Sequence, residues 1–118
     1  MSRKESTEQI ILVARIRQFY PGIVVFAIPN GGNRSITEAT RLKAEGVLAG
    51  VPDLMVAHAT QDWNGLFIEL KRAKGGTVSA RQKAMMSRLE NAGYCCLVAH
   101  GAEHGWQLFE SYMNGEIL

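Results

Sequence analysis

Apolar and polar residues recur with two different periods along this chain, and the switches between them mark its elements. Leu12, Ile16 and Phe19 recur at helical spacing and predict a first helix to about residue 19. Ser6 and Gln9 have the spacing of a capping box at its start, and Pro21-Gly22 stops it. Glu8 falls on the same face, one turn before Leu12. The run Ile23-Val24-Val25-Phe26-Ala27-Ile28 reads as a strand, ended by the loop Pro29-Asn30-Gly31-Gly32-Asn33. Ser35 and Glu38 open a second helix, predicted to reach about Glu45. Residues 53–58 and 66–71 read as two strands, with Asn64-Gly65 between them as a hairpin signal. Ser79 caps a third helix to about Asn91, and Gly93 stands where a helix commonly ends. Residues 94–99 form another strand, and a last helix is expected from about Gly105 to Asn114. The order is α-β-α-β-β-α-β-α: an α/β fold with a mixed central β-sheet flanked by helices, in one domain spanning residues 1–118.

Composition adds little until its distribution is considered. The net charge is only +2, but all 13 Lys and Arg precede residue 101, while residues 101–118 carry Glu103, Glu110 and Glu116. A basic body with an acidic end suits a polyanionic partner. The polar stretch from Met1 to Glu8 and the lack of any apolar run near the roughly 20 residues that span a bilayer predict no leader, no membrane contact and a cytoplasmic setting. Cys95 and Cys96 are adjacent, so they read as small apolar strand residues and not as a loop-closing disulfide or a zinc site. His58, His100 and His104 show no metal-ligand spacing and are given no role, and Met85, Met86 and Trp106 are expected in the core.

The chemistry is concentrated in residues 66–71. Side chains alternate along a strand, so Leu66, Ile68 and Leu70 share one face, and Phe67, Glu69 and Lys71 share the other. Antiparallel pairing with residues 53–58 would bring Asp53 beside Glu69, with an ammonium close by. Two neighbouring carboxylates repel unless a cation lies between them. Mg²⁺ takes oxygen ligands, often one or two carboxylates with waters and phosphate oxygens, and the backbone carbonyl of Leu70 is a further candidate ligand. Such a cation lowers the pKa of bound water from 15.7 toward neutrality, which suits phosphodiester hydrolysis with Lys71 assisting. Gln82 shares an inward helix face with Met85 and Leu89 and needs a polar partner there. Glu8 has the same logic, although an acid in a first helical turn is also favoured by the helix dipole.

Pro52-Asp53 followed by Glu69-Leu70-Lys71 resembles the PD-(D/E)xK nuclease signature. With Asn30-Gly31-Gly32-Asn33-Arg34, Lys43-x-x-Gly46, Gly50-Val51-Pro52-Asp53-Leu54, Phe67-Ile68-Glu69-Leu70-Lys71 and Ser79-x-x-Gln82, the set is similar to the virus-type replication-repair nuclease (VRR-NUC) domain over about residues 5–100. The resemblance implies a restriction-endonuclease-like core, dependence on Mg²⁺ or Mn²⁺, and Glu8, Asp53, Glu69, Lys71 and Gln82 as active-site positions, with Asp53, Glu69, Leu70 and Glu8 as the metal-binding candidates. Stand-alone members, from phages and bacteria, imply a homodimer acting on branched DNA such as Holliday junctions. Asn30, Arg34, Lys43, Arg72, Lys74 and Arg81 are the candidate DNA contacts, from their charge and from the glycine-rich loop ahead of a helix. The alternatives are a sequence-specific restriction-type endonuclease and a non-catalytic DNA-binding accessory subunit.

Overall fold

The computed structural model describes residues 4–29 and 35–117. Its elements follow the expected order: α1 (Glu5–Phe19), β1 (Val25–Ala27), α2 (Ile36–Ala44), β2 (Leu54–Val56), β3 (Leu66–Lys71), α3 (Ala80–Asn91), β4 (Cys95–His100) and α4 (Ala102–Met113). The four strands form one sheet in the order β1-β2-β3-β4, antiparallel except for the parallel pair β3–β4. The crossover between the parallel strands is α3, as such a connection requires.

Leu66, Ile68 and Leu70 lie on one face of the sheet and are fully buried. They join Leu12 and Ile16 of α1 and Trp106, Phe109 and Tyr112 of α4 in the hydrophobic core. Gly105 lets the two helices meet closely, since a Cβ there would lie 2.8 Å from Leu12 Cδ2. The other face turns toward α3: Cys96 donates its thiol to the Met86 carbonyl, and Phe67 packs edge-on against Tyr94. Met85 and Trp106 are buried, and Met86 is half-buried. No described helix is long and apolar enough to cross a membrane.

Several boundaries differ from the sequence expectation, each for a physical reason. Helix α1 starts at Glu5 with Lys4 as an N-cap that makes no side-chain bond, so Ser6 is not the cap; Glu5 and Glu8 in the first turn complement the helix dipole instead. Strands β1 and β2 are three residues each. Their flanks remain bonded, Ile28 N–H to the Asp53 carbonyl and Ala57 N–H to the Val24 carbonyl. Asn64-Gly65 makes no tight hairpin turn: Gly65 does not have positive φ, and the Asn64 backbone and side chain donate to the carbonyls of Gly93 and Ala92. Residues 57–65 thus form a longer loop docked on the end of α3. Helix α4 begins at Ala102 and not near Gly105, because Gly101, with φ 92°, turns the chain straight out of β4.

Candidate active site

The register explains how the predicted residues meet. Leu54 pairs with Ile68, so Asp53, one residue before β2, stands opposite Glu69 near the end of β3. Asp53 Oδ2 accepts the Leu70 N–H at 2.8 Å. The N–H and C=O of a strand residue project to the same side, so the Leu70 carbonyl is aimed toward Asp53 as well. Glu69 and Lys71 project together from the other face of β3 and are 3% and 9% exposed.

Helix α3 supplies the fourth member. Ser79 accepts the Gln82 N–H, and the Gln82 side chain accepts the Ser79 N–H at 2.9 Å, a complete capping box. The same Gln82 Oε1 accepts from Lys71 Nζ at 3.3 Å, while Gln82 Nε2 donates to Glu69 Oε2 at 2.9 Å. Lys71 Nζ lies 3.4 Å from that carboxylate oxygen. The helix cap and the lysine–glutamate pair are therefore joined through one amide. Gly76 is needed beside them, because a Cβ there would stand 2.8 Å from Lys71 Cβ.

These side chains line an open cleft of about 340 Å³, with Asp53, Glu69, Lys71 and Gln82 joined by Arg81 and Thr77. Burial, then the charge of Asp53, pushes the Glu69 carboxyl up to about 7 against the pull of Lys71. Asp53 is raised too, chiefly by burial, although the Leu70 N–H opposes this; Glu5 adds repulsion. In the absence of a cation the pair favours retaining a proton. A hard divalent cation fits the same oxygens: two carboxylates and a carbonyl, with room for waters and phosphate oxygens. No described group of three or more His, Cys, Asp or Glu is placed to hold a metal, so the donor set does not suit a closed zinc site.

The remaining positions spread outward. Glu8 is 1% exposed, yet it does not line the cleft; its Oε1 accepts the Ala102 N–H at the start of α4. The adjoining Gly101 N–H donates to the Lys71 carbonyl, so Glu8 braces the corner behind Lys71. Arg72 and Lys74 are exposed on the loop after β3, and Lys43 lies in a neighbouring hollow shared with Arg81. Asn30 and Arg34 lie outside the described residues. Sequence reasoning passed over Glu5, whose charge acts on Asp53; its place one turn before Glu8, on the same helical face, was the available signal.

The family model of the VRR-NUC domain matches residues 4–103. The chain belongs to the VRR-NUC family. This is a family of PD-(D/E)xK-type nucleases, which generally use divalent metal ions. A solved structure named "VRR_NUC domain protein" superposes with a TM-score of 0.79 at 24% sequence identity, covering 97% of this chain and 91% of that one. That likeness establishes the fold. No curated protein matches the chain. Of the active-site positions that the sequence resemblance implies, Asp53, Glu69, Lys71 and Gln82 line one cleft.

Proposed function

We propose that this VRR-NUC domain is an Mg²⁺- or Mn²⁺-dependent endonuclease that hydrolyses phosphodiester bonds in DNA, with branched DNA such as a Holliday junction as its substrate. The observation that carries this reading is the convergence of Asp53, Glu69, Lys71 and Gln82 in one open cleft, connected by direct hydrogen bonds and opposed carboxylates.

Asp53 and Glu69, with the Leu70 carbonyl, hold the cation. A divalent cation bound there supplies Lewis acidity toward the phosphate and acidifies a coordinated water. Asp53 is fixed in place by the Leu70 N–H, which bonds to its Oδ2. Glu69 must lose its proton to serve as a ligand, and Lys71 favours that loss by proximity. Lys71 Nζ, held by Gln82 Oε1, orients the attacking water or neutralises charge developing on the phosphate. Gln82 keeps Lys71 and Glu69 in register. Glu8 supports them through the β4–α4 corner, and a direct role in metal binding belongs to the same proposal.

Arg81 lines the cleft, and Arg72, Lys74 and Lys43 are exposed; they supply phosphate contacts, and the same role is proposed for Asn30 and Arg34. Symmetric cutting of two strands needs two sites, and a twofold homodimer of a domain this small provides them. The test is one gel that compares a four-way junction with linear duplex in Mg²⁺, Mn²⁺ or EDTA. Paired nicks on the junction, lost in EDTA, are expected. Discrete fragments from linear duplex would identify a restriction-type enzyme instead, and no metal-dependent cleavage of any DNA would leave a binding subunit.

A further inference from the structure

Beside the cleft lies a second hollow, of about 360 Å³, between the end of α2 and the outer face of α3. Arg81 and Ala49 line both, so the two adjoin. Gly50, with φ 88°, holds the connecting loop against the first turn of α3; a Cβ there would lie 3.1 Å from Arg81 Cγ. Arg81 is thereby set between the hollows.

This second hollow combines two chemistries. Lys43, Arg81 and Arg88 stand around it, all exposed, and none forms an ion pair with a described residue. Its floor is apolar, made by Leu48, which is 55% exposed, with Ala84 and Met85. Three unpaired cations over an apolar floor complement a ligand that is anionic at one end and flat and apolar at the other. A base-paired duplex offers its phosphates but keeps its base faces stacked within the helix. A nucleotide outside the stack offers both, and guanidinium planes can stack on such a base as well as bind phosphate.

We propose that this hollow receives one unpaired nucleotide of the DNA, its base over Leu48 and Met85 and its phosphates on Lys43, Arg81 and Arg88. This rests on the nuclease reading and deepens it: the domain would recognise DNA with an unpaired nucleotide next to the bond it cuts. Flaps, and branch points whose junction base pairs open, supply such nucleotides, and continuous duplex does not.

The test uses the full chain carrying Glu69→Gln, so that DNA is bound without being cut. Fluorescence anisotropy in Mg²⁺ compares a paired duplex with the same duplex bearing a short single-stranded flap, and a fluorescent base analogue in the flap reports burial of the base. Tighter binding of the flapped DNA is expected, with a change in analogue emission. Leu48→Asp and Arg88→Glu, both at exposed positions, should each reduce that preference by about tenfold, the scale of one lost base or phosphate contact. An unchanged preference in both variants overturns the proposal, as does an equal loss on both DNAs, which would make the hollow a general phosphate contact. If the unsubstituted chain neither binds nor cuts any DNA, the nuclease reading falls, and this inference with it. If it cuts DNA while the two variants keep the preference, only this inference falls.

Discussion

On one face of β3, Leu66, Ile68 and Leu70 are fully buried beneath α1 and α4; on the other, Glu69 and Lys71 are almost as inaccessible but border an open cleft. The first face is held by close packing. The second is held by polar bonds that leave strain unresolved: two carboxylates opposed across the β2–β3 pair, a lysine pulling against them, and a Glu69 carboxyl pushed up to about 7. The same strand thus places a self-sufficient surface back to back with an incomplete one. Each should fail in its own way when altered.

The largest effect is expected at the carboxylates. Asp53→Ala or Glu69→Ala should lower metal-dependent cleavage by on the order of 10²–10³ or more, while DNA binding is largely kept. Cleavage and binding are measured side by side; full cleavage by both variants would end the assignment. The opposite face should answer in stability. Ile68→Ala is expected to cost about 2–5 kcal/mol in urea unfolding, the range for a buried large-to-small change. A cost below about 1 kcal/mol would mean that this face is not a close-packed core.

Gly76→Ala probes the boundary between the two. The added methyl meets Lys71 Cβ, so Lys71 or the loop must shift. Cleavage should fall by about 10-fold or more with a stability loss of roughly 1–3 kcal/mol. Unchanged kcat in a folded variant would show that Lys71 tolerates displacement.

Glu8 offers a sharper division, because it is buried beside the packed face yet braces the strand that carries the cleft. Glu8→Gln keeps an acceptor for the Ala102 N–H, whereas Glu8→Ala leaves that N–H unpaired and should destabilise the fold by about 1–3 kcal/mol. If Glu8 acts only as a brace, Glu8→Gln retains cleavage and metal dependence; loss of activity in a stable Glu8→Gln variant would assign it to the metal site.

The smallest effect is a dependence on pH. Glu69 holds its proton to about 7 in the fold, against an ordinary 4.5. The folded state therefore binds this proton more readily than the unfolded chain. The associated stability is complete below the ordinary carboxylate value and is lost as pH rises through about 7. Metal-free Tm should decline by a few degrees between about pH 5 and about pH 8, and Glu69→Gln should flatten that decline. Mg²⁺ should stabilise the protein most at the upper end, where it does not compete with the proton. Identical profiles for the two proteins would remove Glu69 as the source.

Much of this arrangement was legible along the chain. Alternation separated Leu66, Ile68 and Leu70 from Glu69 and Lys71, because the period of a strand is a local property of the backbone. Ser79 was legible as the cap of α3 for the same reason, and the structure shows it in that role, with Gln82 completing a capping box. Asp53 could be placed beside Glu69 by assuming an antiparallel pair, and the register Leu54–Ile68 realises that pairing. The Asn64-Gly65 turn failed because its residues bond instead to the end of α3, a partner distant in sequence.

The sequence by itself determined the order of elements, the two faces of β3 and the identity of the clustered acid, amide and ammonium groups, since these follow from local periodicity and residue chemistry. Only the tertiary structure decided that Glu8 caps α4 instead of lining the cleft, that one Gln82 oxygen serves both the helix cap and Lys71, and that Leu48 and Arg88 border a hollow adjoining the cleft. Those features depend on which groups from separate segments arrive within hydrogen-bonding or packing distance. That is settled by the closure of the sheet and the helices on its faces, which no single segment encodes.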